Sequence, residues 1–373
     1  MLQNKIYQNY VTEILKTFLV ILFGLSIIAL TVRAVNFLEL IVESGYPVDI
    51  YFKYSFLNFF GIAPKFIPLS FLLALTIFIL KHLQDSEFVI LWTSGVKKMR
   101  IVNLFFSSSL IILIFYLFLS NFLSPLALNK SRSLLSQDKF NSIIPTVRTN
   151  QFSDLFLGFT FIVEDKADNK IQNIFLHDKG GNLNNLTSNI SSTKNTTIMA
   201  QSGLVQKNEM FLFNGQIISS KKNNKNEIIK FEQLKINLGN LTTSTIKKPK
   251  LQETSTLQLM NCFLKDEFEN EICKVDLKKE IVPTLNRRII IALYIPILSL
   301  ICSLLLIKSK KIYFHSISVF IYSFILLLFV EMAVRFTGLN NLIRWAFFLM
   351  PFILLISFYS FLKFKFTNES KLI

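Results

Sequence analysis

Of 373 residues, 51% are hydrophobic, only 17% are charged and 39 are Phe; a mean hydropathy of +0.47 excludes a disordered or collagen-like chain and is too apolar for an ordinary soluble enzyme. The formal charge of +16 accompanies a general abundance of Lys, Asn, Ile and Phe and calls for no nucleic-acid partner. Three Cys make no disulfide scaffold, and His82, His177 and His315 stand too far apart for a zinc motif, so neither a metal nor a cofactor is expected.

Uncharged runs cover 17–32, 66–80, 101–129, 289–307, 312–330 and 345–362. At ~1.5 Å per residue, ~20 residues cross the hydrocarbon layer. The first two runs are short, but Lys16 and Arg33 can snorkel from the ends of one, and the other extends back past Lys65 to Tyr54. Six transmembrane helices is the economical count. The first is not a cleaved signal, because Glu13 interrupts its flank and no small-residue cleavage site precedes Arg33.

Lys and Arg are retained on the cytoplasmic side of short loops. With the N-terminus inside, that side holds Lys5, Lys16, Lys81, Lys97, Lys98, Arg100, Lys308, Lys310, Lys311, Lys363, Lys365 and Lys371. The opposite short segments hold only Arg33, Lys53, Lys65, Arg335 and Arg344. Both termini are therefore expected in the cytoplasm, with the long polar insert on the other face. The division is 1–124 for three helices with a cytoplasmic loop at 81–100, 125–284 for the insert, and 285–373 for three more helices.

Within the insert the period changes from helical to alternating. Phe159, Phe161 and Val163 alternate with Thr160 and Ile162, and further strands are expected at 171–177, 196–200, 228–231 and 234–238. Asn214-Gly215 between 210–213 and 216–218 predicts a type I′ hairpin, since both residues tolerate positive φ. An antiparallel sandwich or jelly-roll-like sheet follows, whose apolar interior is either a closed core or an open trough. Cys262 and Cys273 fall in this extracytoplasmic part, as a disulfide or as two packed thiols.

The loop between helices two and three predicts a helix of two to three turns. Asp85 or Ser86 can cap it, Glu87 suits its first turn, and Gly95 can supply the left-handed residue after its end. Phe88, Leu91 and Trp92 then form one apolar face. That face either dips into the membrane interface or docks in a groove of a cytoplasmic protein. No phosphate-binding Gly-x-x-x-x-Gly-Lys-Ser/Thr loop, Gly-x-Ser-x-Gly elbow or His-Glu-x-x-His motif occurs, so any energy source is supplied by another protein.

Asp85-Ser86-Glu87 followed by Ser94-Gly95, the Ala200-Gln-Ser-Gly203 stretch and Phe211-Leu-Phe-Asn214-Gly215 resemble the lipopolysaccharide-export permeases of the LptF/LptG family over nearly the whole chain. Leu285-Asn286-Arg287-Arg288 is closer to the LptF branch. The resemblance implies a non-catalytic permease of an ABC-type extractor in the bacterial inner membrane, paired with a second permease and a cytosolic ATPase dimer. It draws lipopolysaccharide from the outer leaflet and passes it, through a periplasmic jelly roll, to similar bridge proteins. It also implies that Asp85, Ser86, Glu87, Phe88, Leu91, Trp92 and Gly95 form the coupling helix against the ATPase, and it favours the open trough.

Arg33, Arg335 and Arg344 are candidate contacts for lipid A phosphates, because a guanidinium grips phosphate bidentately. Glu331 and Arg335, one turn apart, are expected to form an ion pair, with Arg33 as another partner for Glu331. The segment 247–279 and Trp92 depart from the family pattern. Rival readings are a secondary transporter coupled through Glu331, and a membrane-anchored binding scaffold.

Overall fold

The computed structural model describes residues 2–42, 46–138, 149–156, 159–167, 170–179, 193–206, 209–221, 226–237, 250–264, 275–307 and 312–369. In chain order the first helices are α1 (Leu2–Phe37), α2 (Glu39–Val42), α3 (Val48–Gln84), α4 (Glu87–Thr93), α5 (Lys98–Phe118) and α6 (Ser124–Asp138), the last two joined by a π-turn at Leu119–Leu123. Among the described residues six strands follow: β1 (Ser153–Phe156), β2 (Phe159–Ala167), β3 (Lys170–Asp178), β4 (Thr193–Gln206), β5 (Glu209–Lys221) and β6 (Asn226–Asn237). The chain then forms α7 (Thr256–Leu264), α8 (Val275–Cys302) with a 3-10 turn at Ser303–Leu306, α9 (Ile312–Phe336) and α10 (Asn341–Glu369).

Among the described residues six helical spans are long and apolar enough to cross a membrane, as expected: Lys5–Val42, Val48–Gln84, Lys98–Leu135, Lys279–Leu306, Phe314–Phe336 and Asn341–Asn368. At 37 residues, α3 runs ~55 Å against a hydrocarbon layer of ~30 Å, so it extends well beyond it. Two compact units result, one of Met1–Val32, Leu57–Asn129 and Lys250–Ile373, the other of Arg33–Phe56 and Lys130–Pro249. The expected boundary at 124 and 125 thus falls within a continuous helical run.

In the first unit α3 and α8 are the most buried spans, while α1, α9 and α10 leave most of their apolar surface uncovered. The face of α1 that packs inward is Tyr10, Ile14, Phe18 and Leu22, one residue per turn. Phe71, Leu72, Leu75 and Ile79 of α3 join Phe105 of α5 and Tyr294 and Ile295 of α8 in the same core. Small residues let these backbones approach, as between membrane helices generally. Ser299 of α8 donates to Ser109 of α5 at 3.4 Å and to the Pro296 carbonyl at 2.7 Å, and Thr76 of α3 lies 3.8 Å from the Cys302 sulfur.

Two prolines shape the ends of these helices. Pro125 has no N–H to offer the carbonyl of Asn121, and its ring crowds that carbonyl, which accounts for the widened π-turn there. Pro283 leaves the Lys279 carbonyl of α8 in the same condition. Gly338, just after α9, lies against that carbonyl so closely that a Cβ would overlap it, and the same Cβ would stand 3.1 Å from the Pro283 ring.

In the second unit the strands form one antiparallel sheet in the order β1-β2-β3-β4-β5-β6, each beside its sequence neighbours. The inserted antiparallel domain is as expected, with its described strands laid out as a meander. The expected Asn214-Gly215 hairpin is not formed. β5 passes straight through, since Phe213 pairs with Ser202 and Gly215 with Ala200 in one unbroken register, while Gln233 and Phe231 pair on the other side. Likewise 228–231 and 234–238, expected as separate strands, belong to the single strand β6, which ends at Asn237.

The turn-forming chemistry of Asn214 serves instead to crease the sheet. Inward-facing residues step by two along each strand, then by three at one common row: Ile171 to Ile174 on β3, Ala200 to Gly203 on β4, Phe231 to Leu234 on β6. Asn173 and Asn214 occupy this row with φ of 47° and 50°, values that Asn tolerates better than most side chains. Gly203 and Gly215 flank it. A Cβ on Gly203 would meet Ile174 at 2.5 Å, and one on Gly215 would overlap the Met199 carbonyl. The inward face itself is filled, with Val163, Leu176, Ile198 and Leu212 wholly buried. Phe161, Met210, Ile217 and Ile236 complete it.

Candidate functional site

The loop helix is α4, which starts two residues later than the expected Asp85 to Trp92 and ends one residue later, at Thr93. Ser86 stands at its N-cap with φ 59° and makes no side-chain capping bond, so the expected hydroxyl cap is absent. Its end is as read from the sequence. Gly95 takes φ 90°, its N–H donates to the Trp92 carbonyl at 3.1 Å, and the Val96 N–H donates to Leu91 at 3.0 Å. These two bonds are the Schellman closure, with Val96 buried as its apolar contact.

The apolar face of α4 is turned inward. Phe88 is 0% exposed, seated among Phe78 and His82 of α3, Phe105 of α5 and Tyr10 of α1. Leu91 and Trp92 pack against the same core and are half-buried. Trp92 stacks on Phe88 with a 19° tilt, and the Lys98 ammonium lies 4.9 Å from its ring centre. The expectation that Phe88 meets a cytoplasmic partner is therefore corrected: one aromatic per turn on α4 finds its apolar surroundings within this chain. The apolar side chains left outside are Val89 at 46% and Ile90 at 64%.

Glu87 fastens the helix electrostatically. Its Oε2 accepts the Tyr10 hydroxyl at 3.2 Å and faces Nε2 of His82 at 3.3 Å. That same Nε2 is 3.5 Å from Glu13 of α1, and Glu13 also accepts Lys81 Nζ at 2.8 Å. The other imidazole nitrogen, Nδ1, donates to the Phe78 carbonyl at 2.9 Å. Tyr10, Glu13, Lys81 and His82 thus tie α4 to the ends of α1 and α3. The sequence signal for them was a lone Glu in the polar flank of one apolar run and a Lys-His pair ending another. Beside them a groove of about 430 Å³ is lined by Lys5, Ile6, Asn9, Tyr10, Glu87, Ile90 and Leu91. Asp85 and Ser86, just before α4, are exposed.

At the opposite end of α8 and α9, Glu331 pairs with Nη2 of Arg287 on α8 at 3.1 Å. The expected partners, Arg335 on its own helix and Arg33, are not the ones used. A partner on a neighbouring helix joins two spans, which an i,i+4 pair does not do. Arg335 is exposed in the last turn of α9 and Arg33 is exposed near the end of α1. Arg344 is half-buried, 5.7 Å from the ring centre of Phe263. A cavity of about 230 Å³ beside the pair has Lys65, Tyr116, Arg287 and Glu331 together with Ile291, Phe324, Leu327 and Leu328 among its lining residues.

Of the two cysteines left open as a disulfide or as packed thiols, Cys262 is buried against Leu259 and Ile281 and is disulfide-bonded, while Cys273 lies outside the described residues. Among the described residues no cluster of His, Cys, Asp or Glu could hold a metal ion.

No curated protein matches the chain. The family model for the lipopolysaccharide export system permease LptF/LptG matches residues 10–363, from the Tyr10 that holds the loop helix to the last turns of α10. The chain accordingly belongs to the LptF/LptG family of lipopolysaccharide export permeases.

Proposed function

We propose that this chain is a non-catalytic permease subunit of an ATP-driven lipopolysaccharide extractor in the bacterial inner membrane, nearer the LptF branch. It pairs with a second permease of the family through uncovered faces of α1, α9 and α10, and a cytosolic ATPase dimer docks on α4. Both termini lie in the cytoplasm, and the β-domain lies in the periplasm and delivers lipid to bridge proteins of like fold. Arg33, Arg335 and Arg344 offer guanidinium groups to the lipid A phosphates.

The observation that carries this reading is the family match along nearly the full chain. The build of α4 supports it mechanically. A short helix clamped to two membrane helices by Phe88 and Glu87, and exposing Val89 and Ile90, is a rigid lever that an ATPase can push.

Purification of the tagged chain from its own membranes in mild detergent, followed by intact-complex mass determination, tests the assembly. A second permease and two ATPase copies are expected. Val89→Asp and Ile90→Asp are expected to lose only the ATPase and to leave the permease pair intact. A chain recovered alone or as a homodimer, with both variants silent, would overturn the reading.

A further inference from the structure

Arg288 is 6% exposed within α8, and it meets no carboxylate among the described residues. Its guanidinium is spent on three main-chain carbonyls and one hydroxyl. Nη1 donates to the Thr254 carbonyl at 3.0 Å and to the Thr256 hydroxyl at 2.9 Å. Nη2 donates to the carbonyls of Leu251 at 3.2 Å and Gln252 at 3.0 Å. Four acceptors over six residues make this segment, 251–256, a strap held by one side chain whose planar fork suits several fixed acceptors.

The strap is where the chain re-enters the membrane unit at Lys250 after the β-domain. The chain leaves the unit toward the strands after Asn129, through α6. Its root is the π-turn, where Pro125 leaves the Asn121 carbonyl without an N–H. The Thr256 hydroxyl, having accepted Arg288, donates there, 3.1 Å from Asn121 Oδ1 and 3.3 Å from the Asn121 carbonyl. Asn121 is itself steadied by its amide on the Leu117 carbonyl at 3.0 Å. One continuous hydrogen-bonded path therefore joins α8 to the roots of the two connections that lead to and from the strands.

We infer that Arg288 is a positioning residue which clips both connections of the β-domain to α8, so that displacement of this membrane helix is passed to the β-domain as one motion. A role confined to stabilising the bundle would need neither the strap carbonyls nor the π-turn. The use assigned to the motion rests on the export reading above, whereas the clip itself does not.

The test uses the full chain assembled with its partner permease and ATPase in proteoliposomes containing lipopolysaccharide, comparing Arg288→Met, Arg288→Lys and Thr256→Val with the parent. Hydrogen exchange across 251–256 is expected to quicken at least tenfold in Arg288→Met, less in the other two, with the α3 and α5 cores unchanged. ATP hydrolysis is expected to stay within twofold while lipopolysaccharide delivered per ATP falls tenfold or more in Arg288→Met, with Arg288→Lys in between. Unchanged strap exchange would overturn the clip, and so would a loss of ATP hydrolysis in proportion to delivery. A freed strap with undiminished delivery per ATP would overturn its role in coupling. Should Arg288→Met fail to assemble, Thr256→Val, which keeps the guanidinium and its three carbonyl acceptors but removes the hydroxyl that links it to Asn121, decides by the same readings. A parent complex that delivers no lipid defeats the export reading and leaves the exchange arm to judge the clip.

Discussion

Glu331 and Arg287 show how a charge survives within an apolar span. Each alone would face a large desolvation cost, and together they offset it across two helices. Both side chains are partly exposed on the helix surfaces, and the pair links α8 to α9. Arg287→Glu and Glu331→Arg should each lower the melting temperature of the detergent-solubilised protein, and the double swap should recover more than half of the loss. A double variant no better than the worse single would show that the pair is incidental. Glycines give a second comparison at this scale. Gly338→Ala drives a methyl into the Lys279 carbonyl and should cost about 1–3 kcal/mol, as overpacking does. Gly24→Ala meets nothing within 4 Å and should leave thermal unfolding unchanged or slightly raised.

At the scale of elements, α4 and the crease each use a sequence signal in an unexpected way. Periodicity correctly gave α4 an apolar face of Phe88, Leu91 and Trp92. It could not say whether that face met a partner or the chain's own helices, because the helix period is the same in both cases. Burial of Phe88 against residues from α1, α3 and α5 decides it. Phe88→Ala should cost about 3–5 kcal/mol and release the loop to proteolysis near Gly95, while Ile90→Ala should leave the digestion pattern as it is. Asn214-Gly215 was legible as a site of positive φ but not as a crease. A hairpin and a creased strand ask for the same backbone angle, and only the ladders on both sides of β5 distinguish them. Asn214→Gly should be tolerated, whereas Asn214→Val, with a branched side chain at φ 50°, should cost about 1–2 kcal/mol. Hydrogen exchange at β4 to β6 in the full chain would quicken for Val and not for Gly, and equal behaviour of the two would remove the crease argument.

For the whole molecule, the uneven burial of the spans is the main physical fact. α8 and α3 form the interior of the membrane unit, while α1, α9 and α10 keep large apolar faces outside, suited to lipid or to a second permease. The proposed topology predicts that affinity tags at both termini resist protease added to right-side-out spheroplasts, while the segment from β1 to β6 is cleaved. Cleavage of the tags with protection of the strands would invert the orientation and remove α4 from the cytoplasm.

The sequence by itself determined the number of spans, the β-rich insert, the Gly95 helix ending and the family. Each of these rests on local pattern: run length, alternation, a left-handed glycine, or motifs read along the chain. Tertiary structure alone decided that Glu331 chooses Arg287, that Phe88 faces inward and that Asn214 creases a strand. It also decided that Arg288 holds a strap more than thirty residues before it. Those outcomes depend on which distant segments arrive beside one another. A side chain's charge or shape limits the partners it can take, but only packing brings one of them within hydrogen-bonding distance.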